Sequence, residues 1–245
     1  MMVTSGGPDI VNDGLLFYVD AADRKSYPGT GDTWYDLSGN GCHFTLYNSP
    51  SLVDKYFDMS TNEYASIDNT VHTQLQVENT SFSTEIVYRF ADDTYRQIFF
   101  GNAQYGAGGW NVGVGYLAFT KIYSGKCAYN DCTERVNCQY NRGAIEADVS
   151  GLNTTDFWHI LVTYQYNNAS SAVSKLYVNG ELKQTVSTDL AGIRAGPAQI
   201  RIALNNQGGW GSKKGYCGLA RMYSTVLSDE DARQNYNATK GRYGL

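Results

Sequence analysis

The sequence predicts an all-β chain, a two-sheet antiparallel sandwich closed by one short C-terminal helix. Short apolar or alternating runs recur along its 245 residues, separated by turns rich in glycine and asparagine. Aromatic residues make up 13% of the chain and are led by 20 Tyr, which suits pleated, half-buried surfaces. Glycine is abundant, 26 residues against 4 Pro, and points to tight turns rather than disorder.

The first organised stretch runs from Gly14 to Tyr47. An apolar run, Leu15-Leu16-Phe17-Tyr18-Val19, ends on Asp20. Turns follow at Ser26–Asp32 and Asp36–Gly41, with the Trp34-Tyr35 pair between them, and His43–Tyr47 closes the stretch as a strand. Short strands are expected over 55–59 and 63–67. From Phe82 to Phe90 the alternation is clear: Phe82, Thr84, Ile86, Tyr88 and Phe90 on one face, Ser83, Glu85, Val87 and Arg89 on the other. That is the period of a half-buried strand.

Gln97–Phe100 reads as a strand, and Asn111–Phe119 as another after a glycine-rich segment. Residues 121–156 are the least regular part. Phe157–Tyr166 is the strongest strand, with Trp158, Ile160, Val162, Tyr164 and Tyr166 on one face. Asn179-Gly180 between two β runs predicts a hairpin, because a type I′ turn needs φ > 0 at both central residues. Strands over 199–204 and 216–226 follow. Ser228 then caps a short helix from Asp229 to about Asn237, with Asp229-Glu230-Asp231 at its positive end. No linker or composition shift divides the chain, so an N-terminal arm, 1–12, and a single domain, 13–245, are expected.

The net charge is −5 and no basic run tracks phosphates, so nucleic acid is not an expected partner. No 18-residue apolar segment occurs, so no membrane-spanning helix is expected. Met1–Pro8 lacks the basic and apolar regions of a signal peptide, which suggests a cytoplasmic chain or one carried outside as part of a particle. Of the five cysteines, Cys127, Cys132 and Cys138 cluster. Their spacing, with no histidine nearby, is a poor match to a zinc knuckle. A local disulfide or free thiols fit better.

Three segments resemble the laminin-G-like, concanavalin A-like jelly-roll domains of tailed-phage structural proteins. The first runs from Asp13-Gly14-Leu15 through Ser26-Tyr27-Pro28-Gly29 to Trp34–Gly41. The second joins Phe157-Trp158-His159 to Leu176–Leu182. The third joins Arg221-Met222-Tyr223 to Leu227–Glu230 and Asn235–Leu245. The resemblance covers 13–245. It implies a jelly roll of two antiparallel sheets of six or seven strands, with the chain ends meeting on one sheet. It also implies an adhesion, carbohydrate-binding or particle-decorating module on the outside of a phage head or tail, at the virion surface. The implied partners are the major capsid or tail protein, further copies of the chain, and surface glycans.

Many relatives carry an Asp in the last strand, and in some it helps hold calcium. Here that position is Gly218, which leaves Asp20 as a weak calcium candidate and no cofactor expected. Glycosidase chemistry needs two carboxyls facing each other across a cleft, and a Glu-x-Asp-x-x-Glu strand pattern is absent. Asp92-Asp93 reads as a turn and Asp229–Asp231 as a helix start, so no enzyme is expected, and His159 reads as structural. The sharpest functional hint is a pair of Gly-Gly-Trp segments. Trp110 and Trp210 each follow glycines, with Tyr105, Asn205 and Asn206 near them in sequence. Aromatic faces beside amides suit sugars. The alternative is that both tryptophans plug the core. A soluble lectin-like module is the second reading of the chain, and a glycoside hydrolase the third.

Overall fold

The structure is a computed structural model that describes residues 9–68, 70–91, 97–102, 110–114, 121–126, 145–148, 153–188, 199–203 and 215–245. Its strands, in chain order, are β1 (Leu15–Asp20), β2 (Thr33–Trp34), β3 (Phe44–Tyr47), β4 (Ser51–Val53), β5 (Tyr56–Met59), β6 (Tyr64–Asp68), β7 (Phe82–Phe90) and β8 (Gln97–Gly101). They continue with β9 (Trp110–Val114), β10 (Lys121–Lys126), β11 (Ile145–Asp148), β12 (Trp158–Asn168), β13 (Ser171–Val178), β14 (Glu181–Thr188), β15 (Gln199–Ile202) and β16 (Gly215–Tyr223). One α-helix, α1 (Asp229–Tyr243), follows.

Every pairing is antiparallel, and the strands form two sheets. The first sheet runs β14-β13-β12-β7-β16-β5-β4, with β1 also on β16. The second runs β11-β10-β9-β8-β15-β6-β3-β2. Among the described residues each sheet therefore has eight strands, not the six or seven the resemblance implies. The excess is partly β10 and β11, which lie in the region that reads as irregular in sequence. The expected meeting of the chain ends is present: Tyr18 pairs with Arg221 and Val19 with Ala220.

The core lies between the sheets. Phe17 and Val19 of β1, Trp34, Phe44, Phe57, Ile86, Tyr88, Ile160, Val162, Ile200 and Ile202 are all buried in it. The inward-facing sets of β7 and β12 are as expected, but β7 is not half-buried: both its faces are covered, as are both faces of β12 over 159–164. The inward set packs between the sheets, while Ser83, Glu85 and Val87 are covered by α1 and its flanking turns. A two-residue period cannot report a helix that returns from 140 residues downstream.

The helix is longer than predicted. Ser228 and Asp231 form a reciprocal capping box at its start. It continues past Asn237 and through Gly241 to Tyr243, where Gly244 ends it at φ 71°. Asn235, Thr239 and Tyr243 recur every four residues and are buried. Packing of that stripe sustains a helix that propensity alone would end early. The predicted hairpin is present, with Asn179 at φ 52° and Gly180 at φ 76°. Among the described residues no helix is long and apolar enough to cross a membrane.

Candidate functional site

The two outer faces of the sandwich differ. The outer face of the first sheet is closed by α1 over a buried polar seam. Glu85 of β7 accepts from Arg221 Nη1 of β16 at 2.5 Å and from Asn235 of α1 at 2.7 Å, and lies 2.9 Å from His159 Nε2 of β12. The Arg221 guanidinium lies 4.3 Å from the Tyr18 ring centroid. Tyr18 donates to Asp20, which also receives Tyr243 Oη, Arg242 Nη1 and the Ala22 N–H. His159 is thus a buried structural group, and its backbone N–H donates to Asn179.

Asp20, the calcium candidate, is fully buried with two donors on each carboxylate oxygen. Its oxygens are spent on the helix end and the adjoining turn. Gly218 has a packing role: its carbonyl accepts from Ala21, and a Cβ there would lie 2.4 Å from the Tyr243 ring. Among the described residues no cluster of three His, Cys, Asp or Glu could hold a metal.

The outer face of the second sheet carries a different set of side chains. In β3, Phe44 and Leu46 point into the core, so Thr45 and Tyr47 point out. Tyr64 of β6 pairs directly with Tyr47, and the two rings stack in parallel with centroids 4.6 Å apart and 3° between planes. Arg201 of β15 extends the row, its guanidinium 5.5 Å from the Tyr64 ring centroid. Gln199 Oε1 fixes that guanidinium by accepting from Nε at 3.1 Å and Nη2 at 2.6 Å. Arg201 is in none of the ion pairs among the described residues.

Arg201, Tyr64 and Tyr47 thus form a row across β15, β6 and β3. Beyond β3, Thr33 pairs with Thr45 and the Leu46 N–H donates to the Asp32 carbonyl at 2.7 Å, which sets Asp32 opposite the inward-facing Leu46. A groove of about 460 Å³ lies at this edge of the second sheet, lined by Tyr27, Gly31, Asp32, Leu46, Ser49 and Pro50, and Tyr47 is not among its lining residues. Asn48 and Ser49, at φ 62° and 56°, turn the chain towards β4 and leave Tyr47 as the last residue of its strand, 36% exposed. An exposed aromatic ring face of this kind can stack against a flat, hydroxylated ring.

The residues singled out in the sequence fall elsewhere. Tyr105, Asn205, Asn206 and Trp210 lie outside the described residues, as do Cys127, Cys132 and Cys138, and of Trp110 only the backbone is described, opening β9. Sequence reasoning missed the Tyr47–Tyr64 row. The outward position of Tyr47 is visible in the alternation of 43–47, but its partner requires knowing that β3 lies beside β6.

No protein-family model and no curated protein matches the sequence. Its fold is shared with solved structures. The receptor-binding domain of botulinum neurotoxin mosaic serotype C/D aligns with a TM-score of 0.63 at 16% identity over 94% of this chain. The binding domain of botulinum neurotoxin DC in complex with SialylT aligns at 0.64 and 15% over 93%. The binding domain of Paraclostridial mosquitocidal protein 1 aligns at 0.67 and 14% over 93%. The chain spans about half of these structures, 52% of each. They establish a β-sandwich of the kind found in toxin receptor-binding domains.

Proposed function

We propose that this chain is a non-catalytic carbohydrate-binding module that takes a sugar ring on the outer face of its second sheet. The observation that carries the reading is the exposed Tyr47 ring at the end of the Arg201–Tyr64–Tyr47 row. A pyranose stacks its C–H face on Tyr47. Support from the fold is that neighbours of this architecture are binding domains, one of them solved with SialylT. The Gly-Gly-Trp segments, with Trp110, Trp210, Tyr105, Asn205 and Asn206, are the alternative glycan contacts.

A glycan array on the whole chain tests the reading. Binding to a defined set of glycans that is lost in Tyr47→Ala is expected. Binding to no glycan on a broad array contradicts it.

The sequence resemblance supports a setting for the module: a virion protein on a phage head or tail, assembled in the host cytoplasm. Its partners there are the major capsid or tail protein and further copies of itself, and it needs no cofactor. Mass spectrometry of purified virions tests this part separately. The chain should be found in intact particles, and its absence from them overturns the assignment.

A further inference from the structure

We infer that Arg89, on the outer face of the first sheet, is an oxyanion-binding residue held ready by three aromatic rings. Arg89 points away from the core beside the inward-facing Tyr88 and Phe90. Tyr216 is its register partner on β16, with the guanidinium carbon 3.9 Å from that ring centroid. Tyr56 of β5 lies at 5.0 Å and Phe157, just before β12, at 5.3 Å. The rings also support one another: Tyr56 packs on Phe157 with centroids 5.0 Å apart and on Tyr216 at 5.5 Å.

Among the described residues Arg89 is in no ion pair. Among the same residues its Nε is buried with no hydrogen-bond partner, and its Nη2 donates to Tyr56 Oη at 3.4 Å. Asp58, across Tyr216 in the register, uses Oδ1 to accept from the Ser60 N–H. Aromatic contacts engage the faces of a guanidinium, whereas hydrogen bonds leave from its edge. The rings therefore fix the group and leave its Nη edge able to donate to a carboxylate or sulfate oxygen, the pairing for which a planar fork of donors is suited. A side chain already immobilised loses little entropy on binding. The site is on the other sheet from Tyr47, so it stands or falls apart from the glycan platform.

Titration of the whole chain with sodium sulfate and with glucuronate, followed by NMR, tests the assignment, with glucose as the neutral control at constant ionic strength. The Arg89 side-chain Nε–H signal and the Tyr216 backbone amide should shift saturably with sulfate or glucuronate and not with glucose. A response to glucuronate alone assigns the site to sugar-borne carboxylates; a response to both assigns it to oxyanions generally. Arg89→Gln should abolish the saturable Tyr216 shift, and Arg89→Lys should weaken it at least several-fold, with both variants keeping the wild-type circular dichroism. No saturable shift with either anion, or an undiminished Tyr216 response in Arg89→Gln, overturns the proposal and leaves Arg89 as a packing residue.

Discussion

Arg221 donates to Glu85 across 2.5 Å between neighbouring strands, and the two side chains are closed off from water. Each is the register partner of the other on β16 and β7. The pair anchors α1, because the second oxygen of Glu85 accepts from Asn235, which also donates to Tyr223 and accepts from the Val11 N–H. Removing one partner strands a buried charge. Glu85→Ala or Arg221→Met should lower unfolding free energy by about 3–5 kcal/mol in urea titrations. The double variant Glu85→Leu/Arg221→Met should recover a large part of the loss, because no charge is then left unpaired.

The same seam sets the acid limit of stability. Burial pushes the Glu85 carboxyl up, but Arg221 and His159 outweigh it and hold the group below the usual range. A carboxylate depressed in the folded state stabilises the fold above its unfolded value, about 4.3, and that contribution is lost as pH falls through the lower folded value. Tyr223 and Tyr243 act in the opposite direction. Burial raises both phenols, reinforced by the charge of Glu85 on one and Asp20 on the other. Their contribution is complete below about pH 10 and declines as pH rises beyond it. Urea midpoints measured across pH should therefore fall on both sides of a plateau, and Glu85→Gln should flatten the acid limb.

Gly218 is predicted to be intolerant of any side chain. It is the extra residue where β16 passes from Cys217 opposite Tyr88 to Leu219 opposite Val87. A Cβ would overlap the Tyr243 ring. Gly218→Ala should cost about 1–3 kcal/mol, the range for overpacking. It should also loosen the C-terminal turn of α1, which hydrogen exchange of the 239–243 amides would show.

Much of this fold is legible in the chain. The alternation of Phe157–Tyr166, the Asn179-Gly180 turn and the Ser228 cap each act through near neighbours, and each is found as expected. The failures are non-local. Glu85 reads as a solvent-facing residue because nothing near it in sequence announces Arg221, His159 or Asn235. The helix reads as ending near Asn237 because Asn235, Thr239 and Tyr243 reveal their role only once the sheet lies beneath them. Tyr47 and Tyr64 read as ordinary strand residues until β3 and β6 are paired. The Gly-Gly-Trp segments stand out in sequence because glycine and tryptophan signal locally, without reference to strand pairing.

The central claim is that Tyr47 is the sugar platform, and side-by-side calorimetric titration of one array-identified glycan tests it most directly. Wild type, Tyr47→Ala, Trp110→Ala and Trp210→Ala would be compared, each first shown to be folded. Tyr47→Ala should weaken binding by about tenfold, roughly 1.4 kcal/mol, while both tryptophan variants bind as wild type does. Unchanged affinity in Tyr47→Ala, with loss in Trp110→Ala or Trp210→Ala, would contradict the account and move the site to the Gly-Gly-Trp segments.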